Sequence, residues 1–265
     1  MGVARMVAVL GRGSSALAPG AASAALRGPK TSLLGDPAPQ QPIAVRALLF
    51  DLGGVLYDAT VWRRWLLRLL AHVGKNVSAR NFFRAWESEY LTDVCLGRRE
   101  YGEAFHAFLL SQGLTWGQID EVEAASRTHH AEIQTGERPL PGVATTLEQL
   151  AQRGMRLAVL ANSPFPAAKL VSQLERLAIS EHFETVISSC DIEVAKPSAV
   201  CYGTAIAALG LAHSEVALVG HSASDLAGAA AAGLRTVAFN YESESQADAY
   251  ATRFADLLSL VELPA

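Results

Sequence analysis

Residues 47–57 read ALLFDLGGVLY. Four apolar residues lead into Asp51, and Gly53 and Gly54 follow it. A short apolar run bounded by turn residues reads as a buried strand. A carboxylate at the end of such a strand is costly unless it is paired, so Asp51 calls for a partner elsewhere in the chain. The two glycines predict a tight turn whose backbone another group can approach closely.

The pattern changes after Tyr57. Apolar residues recur at Trp62, Trp65, Leu66, Leu69, Leu70 and Val73, which is helical spacing with Asp58 placed as N-cap. Phe82, Phe83, Trp86 and Tyr90 predict a second helix. Tyr101, Phe105, Phe108 and Leu109 predict a third, ended by Gly113. Trp116 to about Ile133 predicts a fourth. The aromatic residues read as the core of this block, and the neighbours His129 and His130 as surface residues.

From LPGV (140–143) onward the chain alternates. Strands are expected at RLAVLA (156–161), ETVISS (184–189), EVALVG (215–220) and RTVAF (235–239), with helices between them. A last helix is expected to carry Ala247, Tyr250, Phe254, Leu257, Leu258 and Val261. Repeated β–α units imply a doubly wound, Rossmann-like parallel sheet covered on both faces. The expected organisation is an α/β core from residues 43–57 together with 140–265, and an inserted helical cap at 58–139. Residues 1–42, rich in Ala, Gly, Ser and Pro with four basic residues against Asp36 alone, read as a disordered leader or a mitochondrial transit segment.

Composition narrows the function. Half the residues are apolar and the net charge is −4, a globular composition. No apolar run is long enough for a membrane span. The acidic balance argues against a nucleic-acid surface. Three cysteines without a CxxC pair read as reduced thiols. Together these point to a cytoplasmic protein, or a mitochondrial one if the leader is a transit segment; the oligomeric state stays open between monomer and homodimer, and no sequence feature calls for an organic cofactor.

In a doubly wound sheet, ligands bind at the carboxyl ends of the strands. Those ends carry Asp51, Asn162 and Ser163, Lys196 in DIEVAKPS, and His221 and Asp225. Acids, an amide, a hydroxyl, a lysine and a histidine thus converge on one edge.

Four motifs in order, FDLGGVL (50–56), LAVLANS (157–163), VAKPSAVCY (194–202) and VGHSASDLAGAAAAGL (219–234), resemble the haloacid dehalogenase superfamily, in the branch with a helical cap after the first motif. The resemblance spans about residues 44–240. It implies that Asp51 is a nucleophile forming a covalent aspartyl intermediate. It implies that Lys196 stabilises charge, that Asn162, Ser163, Gly53 and Gly54 surround the substrate, and that Asp51, Asp225 and His221 are the positions for a metal. Magnesium is the implied metal; the imidazole in this set suits manganese or another transition metal better.

Three positions depart from the phosphatase pattern. Gly53 stands where the acid/base aspartate belongs, Ala161 where Ser or Thr belongs, and His221 where the first metal-binding aspartate belongs. Loss of a positioned general acid costs roughly 10²–10⁴ in rate. The expectation is therefore a hydrolase of weak or altered chemistry on a small phosphorylated or halogenated metabolite. The alternatives are a catalytically inactive member that binds a metabolite or protein, and a changed metal site. Tyr57, Arg63 and Arg64 are further candidates for facing the cleft.

Overall fold

The computed structural model describes residues 40–264, so a leader at 1–39 lies outside the described residues. The strands are β1 (Ile43–Ala44), β2 (Ala47–Phe50), β3 (Arg156–Ala161), β4 (Thr185–Ser188), β5 (Val216–Gly220), β6 (Arg235–Phe239), β7 (Ala249–Ala251) and β8 (Val261–Glu262). Six of them form one parallel sheet in the order β4-β3-β2-β5-β6-β7; β1 and β8 pair separately, also in parallel. The chain enters at the centre, builds outward through β3 and β4, then crosses to β5 on the other side of β2. This reversal opens a crevice beyond the carboxyl ends of β2 and β5.

The apolar strands follow from their two-sided burial. Side chains alternate along a strand, so Leu48 and Phe50 enter one apolar layer while Ala47 and Leu49 enter the other. The first layer is closed by α6 (Val143–Gln152) and α7 (Ala167–Arg176), and the second by α9 (Ala199–Leu209) and α10 (Ala223–Ala231). Phe50 stacks on Phe254 at 5.9 Å and meets Phe183 edge-on at 6.0 Å.

Between β2 and α6 the chain forms α1 (Thr60–His72), α2 (Ala79–Ala85), a π-helical turn (Trp86–Leu91), α3 (Thr92–Cys95), α4 (Tyr101–Ser111) and α5 (Trp116–Gly136). These helices share their own core, including Leu66, Leu70, Phe82, Phe83, Phe105, Phe108 and Ile119. Trp86 packs edge-on against Tyr101 and Phe105 at 5.7 and 5.6 Å. The expected parallel sheet with an inserted helical cap is therefore the observed architecture. The entering and leaving strands of the cap lie side by side, with Leu140 N–H donating to Leu56 O at 3.0 Å and Tyr57 bridged to Pro139.

Several local expectations need correction. The segment expected as a last helix is instead the edge strand β7, a 3₁₀ turn at Phe254–Asp256, the single turn α11 (Leu257–Leu260), and β8. Ala249 and Ala251 alternate into the core as a sheet requires, and Asp256 ends the strand by accepting from Thr252 and Arg253 N–H. Order begins before Ile43: the Gln40 side chain pairs with both backbone groups of Tyr250, at 2.8 and 3.0 Å, and so covers the free edge of β7. Ser189 opens the short helix α8 (Ser189–Ile192) instead of ending a strand. Asp58 lies one residue before the N-cap of α1 and accepts from Thr60 N–H at 2.8 Å. His129 is partly buried and stacks on Trp65 at 4.3 Å, whereas the side chain of His130 lies outside the described part.

One glycine sets how closely a helix approaches the third motif. A Cβ at Gly228 of α10 would stand 2.8 Å from Pro197 O, against rigid backbone. Gly228→Ala should therefore force α10 and the Lys196–Pro197 loop apart. The expected cost is about 1–3 kcal/mol of overpacking, read as a lowered urea midpoint, and a loss no greater than that of a surface Gly→Ala control would contradict it.

Candidate functional site

Asp51 leaves the carboxyl end of β2, where its N–H donates to Val219 O at 3.0 Å and so ties it to β5. Its Oδ1 accepts from Leu52 N–H at 2.8 Å and lies 2.8 Å from Lys196 Nζ. Its Oδ2 lies 3.2 Å from His221 Nδ1. Lys196 Nζ also reaches Asp225 Oδ2 at 3.0 Å. All of Asp51, Lys196 and Asp225 are buried, and His221 is largely so. Asp51, Lys196, His221 and Asp225 therefore meet as one charged cluster beyond the ends of β2 and β5.

Burial alone would raise the Asp51 carboxyl pKa. The Lys196 charge, and then contact with His221, more than reverse this and hold it well below the usual carboxylate range. Burial would likewise discharge Lys196, but Asp225 and Asp51 keep it firmly protonated. For His221, burial is again outweighed, here by Asp51, and its pKa is raised. The site thus holds an ionised carboxylate in a largely dry setting, where electrostatic interactions are strong.

Loop geometry supports this cluster. Gly54 adopts φ +78°, a left-handed conformation that favours glycine, and the His221 ring lies against it. Asn240 Nδ2 donates to Gly54 O at 2.9 Å and Glu242 N–H to His221 O at 3.1 Å. Ser222 is the N-cap of α10, accepting from Asp225 N–H, so Asp225 itself is free to face Lys196. Tyr202 Oη donates to Asp225 O at 2.7 Å.

Asn162 does not project into the crevice as a free amide. Its Nδ2 donates to Lys196 O at 3.0 Å and its Oδ1 accepts from Lys196 N–H at 2.8 Å, so it positions the lysine backbone. Ser163 is buried; its Oγ accepts from Phe165 N–H at 3.1 Å, and its N–H donates to Ser189 Oγ. Ala161 is buried in the apolar layer. A Cβ at Gly53 would lie 3.7 Å from the Tyr57 hydroxyl and 3.1 Å from Ala59 Cβ, so these two side chains border the place of the absent acid. Burial pushes the Tyr57 phenol up to about 12.

Of the two cap arginines, Arg63 pairs with Glu87 and lies 5.2 Å over the Phe83 ring, while Arg64 turns to Asp58 at an exposed position. Burial raises the Glu87 pKa and Arg63 opposes it. Asn240, Glu242, Ser189 and Tyr202 were not singled out from sequence. Asn240 alone had a readable signal, since it directly follows the strand RTVAF.

The three side chains named for a metal do not form a cation site by themselves. Among the described residues, no group of three or more His, Cys, Asp or Glu side chains is arranged to hold a metal ion. One oxygen of Asp225 and both of Asp51 already face nitrogen, and imidazole is a poor ligand for a hard ion such as magnesium.

The sequence profile of the haloacid dehalogenase-like hydrolases matches residues 45–233, which include all four strand ends of this cluster. The chain belongs to the haloacid dehalogenase-like hydrolase family. It is 31% identical to a phosphoglycolate phosphatase of Yersinia pestis, over 83% of this chain and 95% of that protein. It is 28% identical to (S)-2-haloacid dehalogenase 4A of Burkholderia cepacia, over 83% of this chain and 94% of that one. In fold it is similar to a predicted phosphoglycolate phosphatase from Haemophilus somnus 129pt, with a TM-score of 0.61 and 21% identity over 81% of this chain and 96% of that one. This haloacid dehalogenase-like hydrolase contains no helix among the described residues that is long and apolar enough to cross a membrane.

Two stability predictions follow from the charges. Lys196→Met removes the ammonium that Asp51 and Asp225 share, and removing one partner of a buried ion pair costs about 3–5 kcal/mol. Adding Asp225→Asn should return part of that loss in urea unfolding; a milder single variant would contradict the account. The second concerns pH. Asp51 has a depressed folded pKa, so its contribution is complete above about 3.9 and is lost as pH falls towards the folded value. His221 has a raised folded pKa, so its contribution is complete below about 6.5 and is lost as pH climbs through the folded value. Unfolding midpoints of the wild type should decline from near-neutral pH upward. His221→Gln should flatten that limb and also shrink the acid limb, because contact with His221 is part of what depresses the Asp51 pKa.

Proposed function

We propose that this chain is a hydrolase in which Asp51 attacks a small anionic substrate and forms a covalent aspartyl intermediate. The observation that carries this reading is the state of Asp51: a buried carboxylate held ionised at the strand crossover by Lys196 and His221. An ionised carboxylate is the form that can act as nucleophile. One Asp51 oxygen bonds to phosphorus or to carbon, and the bond to the leaving group breaks with its electron pair. Water then hydrolyses the aspartyl ester or anhydride, returning the Asp51 carboxylate and releasing phosphate or the hydroxylated product.

The two named relatives act, by their names, on a phosphorylated and a halogenated acid, each with a carboxylate beside the carbon that bears the phosphate ester oxygen or the halogen. We extend that class to this chain: a short 2-substituted carboxylic acid. Gly53 supplies no acid to protonate the leaving group, which favours one that departs unaided, such as halide or a phenolate. Lys196 offsets the charge of the incoming anion, Asp225 and Asn162 hold Lys196 in place, and Ser163 contributes a buried hydroxyl.

A second reading has a specific observation in its favour. Both Gly53 and Ala161 lack the polar groups that the family's phosphatases place there, which suits a member that binds such an acid without turning it over. A panel of p-nitrophenyl phosphate, 2-phosphoglycolate and (S)-2-chloropropionate separates the two. The hydrolase reading expects turnover of an activated phosphate or a haloacid, reduced at least about 10³-fold in Asp51→Asn, in line with loss of a covalent nucleophile. It expects Gly53→Asp to raise turnover of 2-phosphoglycolate by about 10²-fold, the lower range for a positioned acid. Binding of these acids with equal, background turnover in wild type and Asp51→Asn would instead establish the binding reading.

A further inference from the structure

We propose that the His221 side chain takes the place of a divalent cation beside Asp51, so that this site balances its carboxylates with fixed nitrogen donors and binds no divalent metal ion. The inference deepens the reading above, since it assumes that Asp51 is the group facing the bound anion.

The argument starts from how the carboxylates are occupied. Asp51 Oδ1 is shared by Leu52 N–H and the Lys196 ammonium, both at 2.8 Å. Asp51 Oδ2 is faced by His221 Nδ1 at 3.2 Å. Asp225 turns Oδ2 to the same ammonium at 3.0 Å. His221 Nδ1 is buried and has no aligned hydrogen-bond partner among the described residues, so its 3.2 Å approach to Asp51 Oδ2 is a close contact of the ring with the carboxylate. An imidazole nitrogen that carries a proton has no lone pair for a metal.

The ring is also held in place. It lies against Gly54, whose φ of +78° admits no ordinary side chain without strain. The Gly54 carbonyl is fixed by Asn240, and the His221 carbonyl by Glu242 N–H. Swinging the ring aside to admit an ion would break its contact with Asp51 and expose that oxygen. Hard divalent ions of the magnesium type also demand near-octahedral oxygen ligation at about 2.0–2.1 Å. The imidazole withholds an oxygen at the position where a carboxylate would supply one.

Charge counting leads to the same conclusion. With acids at positions 51, 53, 221 and 225, a single lysine would leave a strong negative excess, which a dication must offset before an anion can approach. In this chain Gly53 and His221 remove two of those acids. Asp51 and Asp225 then share the Lys196 ammonium with the His221 ring set against Asp51, so the negative excess is at most one without any added ion. An anionic substrate meets a much smaller carboxylate barrier than one that a dication must lift. The departures at positions 53 and 221 are thus coupled, because each removes part of the demand for a metal.

The test uses Mn²⁺, which is observable by electron paramagnetic resonance, as the probe ion on the full chain. Wild type is expected to take up no more Mn²⁺ at millimolar concentration than Asp51→Asn. His221→Asp is expected to gain one equivalent of bound Mn²⁺, and the double variant His221→Asp/Asp51→Asn to lose it again. Orthophosphate binding to wild type, followed by calorimetry, is expected to be unchanged by EDTA. An equivalent of Mn²⁺ bound by wild type and released by Asp51→Asn overturns the proposal, and so does orthophosphate binding that disappears with EDTA. A folded His221→Asp that takes up no Mn²⁺ overturns the claim that the ring is what excludes the ion. Should His221→Asp fail to fold, the wild-type uptake and EDTA measurements still decide the matter. Absence of turnover in the substrate panel would count against the hydrolase reading and leave the metal measurements as they stand.

Discussion

The buried ammonium of Lys196 is the constraint around which this structure is arranged. A lysine out of contact with water must be paired, because an isolated buried charge is prohibitively costly. Its two partners come from distant parts of the chain: Asp51 from the end of β2 and Asp225 from the first turn of α10. Its backbone is gripped from a third place, Asn162 at the end of β3. One residue therefore ties the ends of β2 and β3 to α10, which follows β5, on both sides of the strand crossover. Gly228 completes the arrangement, since only a residue without Cβ lets α10 close on the loop that presents the lysine.

The cap is joined to this centre by few polar contacts. Ser189 Oγ donates to Cys95 O at 2.7 Å, connecting α8 of the core to α3 of the cap, and the same hydroxyl accepts from Ser163 N–H. Tyr101 packs on Phe165 at 5.9 Å. The linkers run as paired extended segments through Leu56, Tyr57, Pro139 and Leu140. The cap's apolar core is separate from both sheet layers. Its internal packing can therefore vary without disturbing the charged cluster.

The central sheet was legible in the sequence because its strands are buried on both faces and read as uninterrupted apolar runs between turn residues. Asp51 was legible for a related reason: a charged residue at the end of such a run needs a partner, and Lys196 and Asp225, in the stretches that follow β4 and β5, supply one. The last segment was misread because Ala247, Tyr250, Phe254, Leu257 and Val261 satisfy a helical period, while the deciding factor was a free sheet edge, which is a tertiary property. Gln40 was missed on the same account, since its amide serves a backbone more than two hundred residues away. Asn162 was noticed in the right place, but nothing in ANS distinguishes an amide aimed at a ligand from one clamping a neighbouring backbone. His221 was identified as a departure, and only the geometry shows that it faces Asp51 through Nδ1.

The three departures from the phosphatase pattern are physically coherent with one another. Ala161 sits in an apolar layer, so the absent hydroxyl leaves no buried polar group unsatisfied. The space beyond Gly53 is bordered by Tyr57 and Ala59, and the absent carboxylate removes a charge that would have faced Asp51. His221 then turns a position that would add negative charge into one that neutralises it. An acid restored at position 53 or 221 alone would stand near Asp51 without a counter-charge of its own, and burial would penalise it. With neutral residues at 53 and 161 and an imidazole at 221, the remaining ions pair off, and Asp51 keeps the ionised state that the proposed nucleophile needs. On that reading fixed positive charge stands in for general-acid and metal assistance, which suits substrates whose leaving group departs without a proton.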